Sequence, residues 1–304
     1  MSISKLLAYA AIYILWGGSF LAIRVIVAEV PPFFAAGFRF TLAGLLLIAY
    51  SHLRGEVACP KRALFNAAVL GFIMFTIMYA ALFWGEIHVS SGIAAVVSAM
   101  IPVWIFAGEL TVLRTQKATV LSIAGILLGL TGVVVLAGGT RSTAGQTSGF
   151  ALAALVGATI CWSGGTLLSR RLTLPAPQTD SAGWQMASGG VLLLALSLVS
   201  GELRRLPATG ILFSAKILMS MAYLVIAASI LAYTAYVWLI AHEPATRVSS
   251  YAYVNPVIAL ILGALLAGER LSAFQMTGVA LVLAGVVATL AAKRPVAEAK
   301  KVAA

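Results

Sequence analysis

The chain has 304 residues and a formal net charge of +11, with 62% hydrophobic and only 10% charged residues. A soluble domain carries roughly 25% charged and about half apolar residues, so this composition excludes an ordinary soluble domain and points to an integral membrane protein. The basic residues sit in short clusters between apolar runs and form no basic face, which argues against a nucleic-acid surface and fits the positive-inside rule.

A helix crossing a bilayer core needs about 20 mostly apolar residues. In chain order such runs are predicted at 5–27, 32–52, 63–85, 90–113, 119–138, 148–169, 181–200, 214–241, 246–267 and 272–292. The expected fold is therefore an all-α integral membrane protein of ten transmembrane helices. The first run follows Lys5 and is long enough to span, so it reads as a retained helix and not as a cleaved signal. Short loops with breakers such as Pro31-Pro32, Gly138-Gly139, Pro175 and Pro177 separate the runs. The tail from Lys293 is short, polar and basic.

The runs repeat. Trp16-Gly17-Gly18-Ser19 with Arg24 matches Trp162-Ser163-Gly164-Gly165 with Arg170 at an offset of 146. Gly55-Glu56 matches Gly201-Glu202 at the same offset. Tyr79, Trp84 and Pro102 match Tyr233, Trp238 and Pro256 at 154, and Gly125 and Gly132 match Gly278 and Gly285 at 153. An ordered series at a nearly constant offset is a duplication. Five spans per copy is an odd number, so the second copy enters the membrane from the opposite side. The expected domains are thus a first five-helix repeat at 1–139, an inverted second repeat at 147–292 and a basic tail at 293–304. Inverted repeats characterise secondary transporters, with the ligand site between the halves. Twelve Lys and Arg fall on the side of both termini and five on the other, which predicts cytoplasmic N- and C-termini in a bacterial inner membrane.

The stretches "LWGGSFLAIRV" (15–25), "PPFFAAGFRFTLAG" (31–44), "VSSGIAAVVSAMIPV" (89–103) and "SSYAYVNPVIALILGALLAGERLS" (249–272) resemble the EamA-type drug/metabolite transporter superfamily, and the likeness covers nearly the whole chain. It implies two inverted five-helix halves around a central cavity, and export of small metabolites or drugs. One departure is that Gly268-Glu269-Arg270 has no counterpart after the fourth span, where Arg114-Thr115-Gln116 stands.

Candidate substrate-binding residues are the aromatic and polar groups well inside the spans: Trp16, Tyr79, Ser98, Trp104, Trp162, Tyr233, Tyr253 and Asn255. Rings with a few polar tips suit an amphipathic organic ligand, although the same groups also serve ordinary helix packing. Trp84 and Trp238 lie at span ends and read as interfacial anchors. Arg39 is the one cation clearly within a span, which marks it for attraction of a substrate carboxylate. Its competing role, a pair with Glu29 or Glu86 or snorkelling to the headgroups, is favoured by its place two turns from the span's outer end. Gln185 holds the matching place in the second half.

Pro102 and Pro256 are candidate hinges, since proline frees the carbonyl four residues earlier. Gly125 and Gly129, like Ala280, Ala284 and Ala288, form small-residue faces for close helix packing, with a weak homodimer as the alternative to a monomer. His52, His88 and His242 fall at span ends, and Cys59 and Cys161 belong to no metal-spacing motif. No metal or cofactor is therefore expected, and no disulfide. Ser163 has no histidine in reach as a base, so an enzyme is not expected.

The function expected from all this is export of small amphipathic metabolites by alternating access, with aromatic and other neutral amino acids foremost and membrane lipid as surroundings. The alternative is proton-coupled efflux of lipophilic cations. Small multidrug pumps, distant four-span relatives, use a glutamate in the middle of their first helix; here neither the first nor the sixth span holds an Asp or Glu.

Overall fold

The computed structural model describes residues 3–55, 59–114, 119–139, 149–206, 212, 214–243, 245–267 and 273–291. Among these all regular structure is helical. In chain order the main helices are α1 (Ile3–Val27), α2 (Pro32–Leu53), α3 (Lys61–His88), α4 (Ser91–Thr111), α5 (Val120–Gly139), α6 (Gly149–Ser169), α7 (Gln178–Val199), α8 (Ala215–His242), α9 (Tyr251–Ala267) and α10 (Ala273–Ala291). Seven of them, α1 to α4 and α6 to α8, are long and apolar enough to cross a membrane; α5 and α10 carry shorter apolar stretches, Val120–Gly132 and Met276–Gly285. Large apolar side chains such as Leu46, Val134, Leu198 and Met219 coat the outside. That is the arrangement expected where lipid, not water, is the solvent.

Four features depart from the predicted runs. Helix α7 begins at Gln178, three residues before the predicted 181, with Pro177 at its N-cap. The polar Gln178-Thr179-Asp180 does not prolong the loop. It forms the first turn, where the acidic Asp180 complements the helix dipole. Helix α4 is interrupted at Ala99 and Met100, dividing it into Ser91–Ser98 and Ile101–Thr111. The ninth run, predicted as continuous, starts with a single turn, Ala245–Val248, before α9 proper begins at Tyr251. Finally, α3 and α8 widen into π-helical segments at Gly71–Ile77 and Tyr223–Leu231, which hydrophobic periodicity does not reveal. Shifted by 154, the first segment falls on residues 225–231, inside the second.

Helix α2 packs along α7, and α5 along α10, as the two most extensive helix pairs. Small residues allow it. A Cβ on Gly44 would stand 2.4 Å from Ala187 N, and one on Gly285 would stand 2.4 Å from Gly129 N. Gly125, Gly129 and Gly132 of α5 thus meet Gly278, Val282 and Gly285 of α10 within one chain, through backbone approach closer than any larger residue permits, whereas Ala280 and Ala284, expected on the packing face of α10, are exposed. Helix α1 packs on α8 and α9, and α6 on α3 and α4. Gly55 and Gly201, matched in the repeat, follow α2 and α7 with φ of 73° and 75°. This is the left-handed helix ending for which glycine carries no Cβ penalty.

The two ends of the bundle are tied differently. At the end carrying the start of α1, Lys5 pairs with Glu243, and Arg170 donates to Glu243 O at 3.2 Å. At the far end, Arg24 donates to Glu86 O and Ile87 O, the last carbonyls of α3. There too the Glu202 carboxylate accepts from Phe33 N (3.3 Å) and Phe34 N (2.9 Å), satisfying the free amides at the start of α2.

Candidate functional site

The interior is a cluster of aromatic rings contributed by six helices. Trp16 (α1) and Trp162 (α6) meet edge to face with centroids 5.6 Å apart. Tyr236 (α8) lies 5.2 Å from Trp16 and 5.3 Å from Trp162. Tyr251 (α9) lies 4.9 Å from Trp16. Phe75 (α3) is 4.8 Å from Tyr233 and 4.8 Å from Phe40 (α2), and Tyr79 is 4.4 Å from Phe40. Such tilted contacts are the geometry the ring quadrupoles prefer.

Hydrogen bonds fix the rings. Trp16 Nε1 donates to Ala228 O at 2.9 Å, a carbonyl in the π-helical segment of α8, where the widened turn leaves backbone groups for other partners. The Tyr236 hydroxyl shares a 2.6 Å bond with Thr166 Oγ1. Tyr233 Oη donates to Gln185 Oε1 at 2.7 Å. Trp104 Nε1 donates to Thr159 Oγ1 at 2.8 Å. Asn255, oriented to satisfy its neighbours, donates to Tyr251 O (3.1 Å) and Tyr13 O (3.0 Å), joining α9 to α1. Ser163 Oγ donates to Thr159 O at 2.7 Å and Ile101 O at 3.2 Å, so its hydroxyl is engaged in helix packing.

Two cavities lie on either side of Tyr236 and Trp162. A small inner one, about 40 Å³, is lined by Trp16, Tyr79, Ser98, Trp162, Tyr251 and Asn255 among others. A larger one, about 360 Å³, lies toward the end carrying the start of α1, between the end of α6, the start of α7 and α8. Arg170, Gln178, Ser181, Gln185, Tyr233 and Tyr236 are among its walls. Five of the residues singled out from sequence thus share the inner cavity: Trp16, Tyr79, Ser98, Trp162 and Asn255. Tyr233 faces the larger one. Trp104 lines neither and braces α4 against α6. The side chain of Tyr253 lies outside the described residues.

Arg39 is 1% exposed. Its Nε donates to Ser229 Oγ at 2.8 Å, and its guanidinium lies 4.5 Å from the Phe40 ring centroid and 5.4 Å from that of Tyr79. A cation at membrane depth costs about 3 kcal/mol or more. Ring faces return roughly 2 kcal/mol when desolvated, and the bond to Ser229 offsets much of the rest. The side chain therefore does not snorkel. It points inward and joins α2 to α8, next to Tyr79. Its counterpart Gln185 instead accepts a hydrogen bond from Tyr233, the counterpart of Tyr79.

Pro102 occupies the first turn of the second half of α4, just beyond the break at Ala99 and Met100, where a missing N–H costs nothing. Pro256 lies inside the continuous α9. The matched prolines therefore have different surroundings in the two halves. Glu86 and Glu109 stand near their helix ends but are buried rather than interfacial, at 0% and 9% exposed. Among the described residues no three His, Cys, Asp or Glu gather to hold a metal, and Cys59 and Cys161 are free.

The site residues that sequence reading passed over are Tyr236, Phe75 and Arg170. Tyr236 was visible as the second tyrosine of "YTAYVW", one turn from Tyr233 and on the same face. The repeat hid it, because the matching position in the first half is Leu82.

A cavity entered from one end of a lipid-clad bundle and stopped halfway by a ring partition is the arrangement of a multi-pass membrane transporter. The model of the EamA-like transporter family matches residues 3–138 and 149–291, and the chain belongs to that family. It is 36% identical to the "Uncharacterized inner membrane transporter YedA" of Escherichia coli (strain K12) over 92% of this chain and 88% of that one. It is also 25% identical to "Protein PecM" of Dickeya dadantii over 90% of this chain and 87% of that one. A solved crystal structure shares the fold at a TM-score of 0.66 and 21% identity, covering 95% of this chain and 97% of the other. The protein is thus an inner-membrane transporter of the EamA type.

Proposed function

We propose that the protein exports small neutral, amphipathic metabolites, foremost aromatic and other neutral amino acids, by alternating access between two inverted five-helix halves, 1–139 and 147–292. The observation that carries the substrate class is the lining of the larger cavity. Among the described residues lining it there is one cation, Arg170, and no carboxylate, while Tyr233, Tyr236, Met74 and several aliphatic groups supply apolar faces. A volume of about 360 Å³ falls in the range of small-molecule sites. A zwitterion places its carboxylate at Arg170 and its body on the rings. A lipophilic cation would want an acidic wall, so the alternative of cationic drug efflux is disfavoured.

The two-half architecture has its own support. The family model matches twice, the π-helical segments fall at matched positions, and α1 packs on α9 as α6 packs on α4. In this reading both termini are cytoplasmic and the larger cavity faces the cytoplasm. The opposite path is closed around Arg39, Phe40 and Tyr79. Substrate enters beside Gln185 and Tyr233, passes the Tyr236–Trp162 partition into the inner cavity, and leaves when the Arg39 side opens.

The decisive experiment is flux in proteoliposomes against a panel of amino acids, sugars and organic cations, with Tyr236→Ala in parallel. Neutral amino acids are expected to move, and the variant to lose selectivity among them. Movement of organic cations or sugars alone would overturn the substrate class. Reporter fusions after Arg114 and at the C-terminus are expected in the cytoplasm, and fusions near Gln146 and Arg205 on the far side. A C-terminus found outside would refute the inverted repeat.

A further inference from the structure

A third cavity lies on the outside of the bundle and plays no part in the path above. It is a groove of about 700 Å³ between the last turns of α1, the first turns of α8 and the end of α9. Along α1 it runs from Gly18 to Ala28. Ten residues of helix rise about 15 Å, half of a hydrocarbon core about 30 Å thick, so the groove is one leaflet deep. Its walls are aliphatic, with Leu21, Val25, Met219 and Leu266 among them, and its outer end carries two cations, Arg24 and Lys216. Lys216 is exposed and follows Ser214, the N-cap of α8, so the positive end of the helix dipole adds to its charge. At the deep end Tyr223 Oη donates to Leu15 O at 2.7 Å. The same hydroxyl stands against Gly18, where a Cβ would come within 2.5 Å of it. That contact closes the groove off from the ring cluster.

We propose that this groove is a binding site for one anionic phospholipid of the leaflet at the far end from the chain's start. The acyl chain lies along α1, and the headgroup phosphate meets Lys216, Arg24 and the start of α8. Charge complementarity selects the occupant: the deep part is mostly aliphatic, with Ser220 and the Tyr223 hydroxyl as its polar groups, and the interfacial end carries the positive charge of Lys216 and Arg24. A transported metabolite would find no polar partner along most of its length and no passage at Tyr223.

Native mass spectrometry of the detergent-solubilised full-length protein tests the site, using phosphatidylglycerol, phosphatidylcholine and water-soluble glycerol 1-phosphate as separate probes. Phosphatidylglycerol is expected to be retained several-fold more than phosphatidylcholine, and glycerol phosphate not at all. Lys216→Gln should lower that preference about fivefold, as one basic residue near an acidic headgroup implies. Lys216→Arg should keep it, and Lys61→Gln, at the opposite end of the bundle, should leave it unchanged. Equal retention of the two lipids, or a preference that survives Lys216→Gln, would overturn the proposal. Binding of glycerol phosphate as strong as that of the lipid would overturn it too, by showing an ion site and no acyl groove.

Discussion

Trp16 and Trp162 occupy matched places in the two repeats, and in the folded chain their rings touch edge to face at 5.6 Å. Their environments differ. Trp16 is anchored by a hydrogen bond to Ala228 O, whereas Trp162 stands against Tyr236, Tyr233 and Phe75. The sequence match thus becomes a physical contact at the centre of the bundle, with one ring fixed and the other part of the partition.

Removing the partition is expected to change selectivity before it changes stability. Tyr236→Ala joins the two cavities and should raise the flux of bulky amino acids relative to small ones. Tyr236→Phe keeps the ring and loses only the bond to Thr166, which is worth about 1 kcal/mol. It should behave nearly as the wild type. Competition assays in proteoliposomes with a large and a small neutral amino acid provide the readout. An unchanged ratio in Tyr236→Ala would mean that the partition does not lie on the path.

Arg39 and Gln185 invite an exchange. Arg39→Gln gives the first half the residue that the second half already carries. The variant loses the ring contacts and the bridge from α2 to α8, and it removes a costly buried charge, so it is expected to fold. It should favour the state open at the far end. In a background lacking Cys59 and Cys161, Ser98→Cys reports access to the inner cavity. Labelling by an impermeant reagent from the far side should rise about tenfold, equivalent to about 1.4 kcal/mol of population shift. Labelling that stays level would remove Arg39 from the closing of that end.

How much of this was legible in the sequence depended on which physical signal each feature left. The apolar runs and the repeat were readable because lipid demands length and hydrophobicity whatever the packing. Trp16, Tyr79, Ser98, Trp162 and Asn255 were readable as a group because polar tips deep in apolar spans are few. The inward turn of Arg39 was not, since snorkelling and ring stacking demand the same residue at the same depth. Nor were the π-helical segments and the break at Ala99 and Met100. The π-helical segments leave no trace in the hydrophobic period, and Pro102 marks the turn before it as a place where a carbonyl is freed without deciding between a kink and a break. Arg170 looked like one more positive charge at a helix end until α7 and α8 placed it on the cavity wall.

The close approach of α2 and α7 sets a stability prediction. Gly44→Ala puts a methyl group where Ala187 N and Gly183 O would be 2.4 and 2.7 Å away. Both atoms are backbone, so the helices must separate. Overpacking of this kind costs about 1–3 kcal/mol, seen as a lower midpoint of thermal unfolding in detergent. Gly157→Ala is the control: its Cβ meets nothing within 4 Å, and better helix propensity should leave stability equal or higher by about 0.5–1 kcal/mol. Equal midpoints for the two variants would show the contact to be looser than described.

The two prolines should no longer be expected to act alike. Pro102 follows a helix break beside Ser98, a residue of the inner cavity. Replacing it with Ala permits α4 to run through and stiffens that segment. Pro102→Ala is expected to slow turnover about tenfold with binding little changed, as for variants of a moving element. Pro256→Ala sits in an unbroken helix and should cost less than threefold. No effect of either variant in single-turnover flux measurements would leave both residues as static kinks, and equal slowing would refute the difference between them.

Energy coupling is the last prediction. Neither α1 nor α6 holds an acidic residue, so the ring cluster contains no carboxylate from the helices that carry Trp16 and Trp162. Glu86 and Glu109 are buried, but each lies two residues from the end of its helix, and neither is among the described residues lining the inner cavity. A proton relay through the bilayer centre needs a group that titrates near neutral pH at that depth, and tyrosine and arginine do not. Facilitated export is expected, in which the substrate's own concentration ratio supplies the free energy. With equal pH on both sides, liposomes should equilibrate substrate without concentrating it, and an imposed pH gradient should change neither the final ratio nor the initial rate. Accumulation driven by that gradient, and lost in Glu86→Gln or Glu109→Gln, would show that water carries protons to one of these carboxylates during the cycle and that the protein is a proton-coupled exporter.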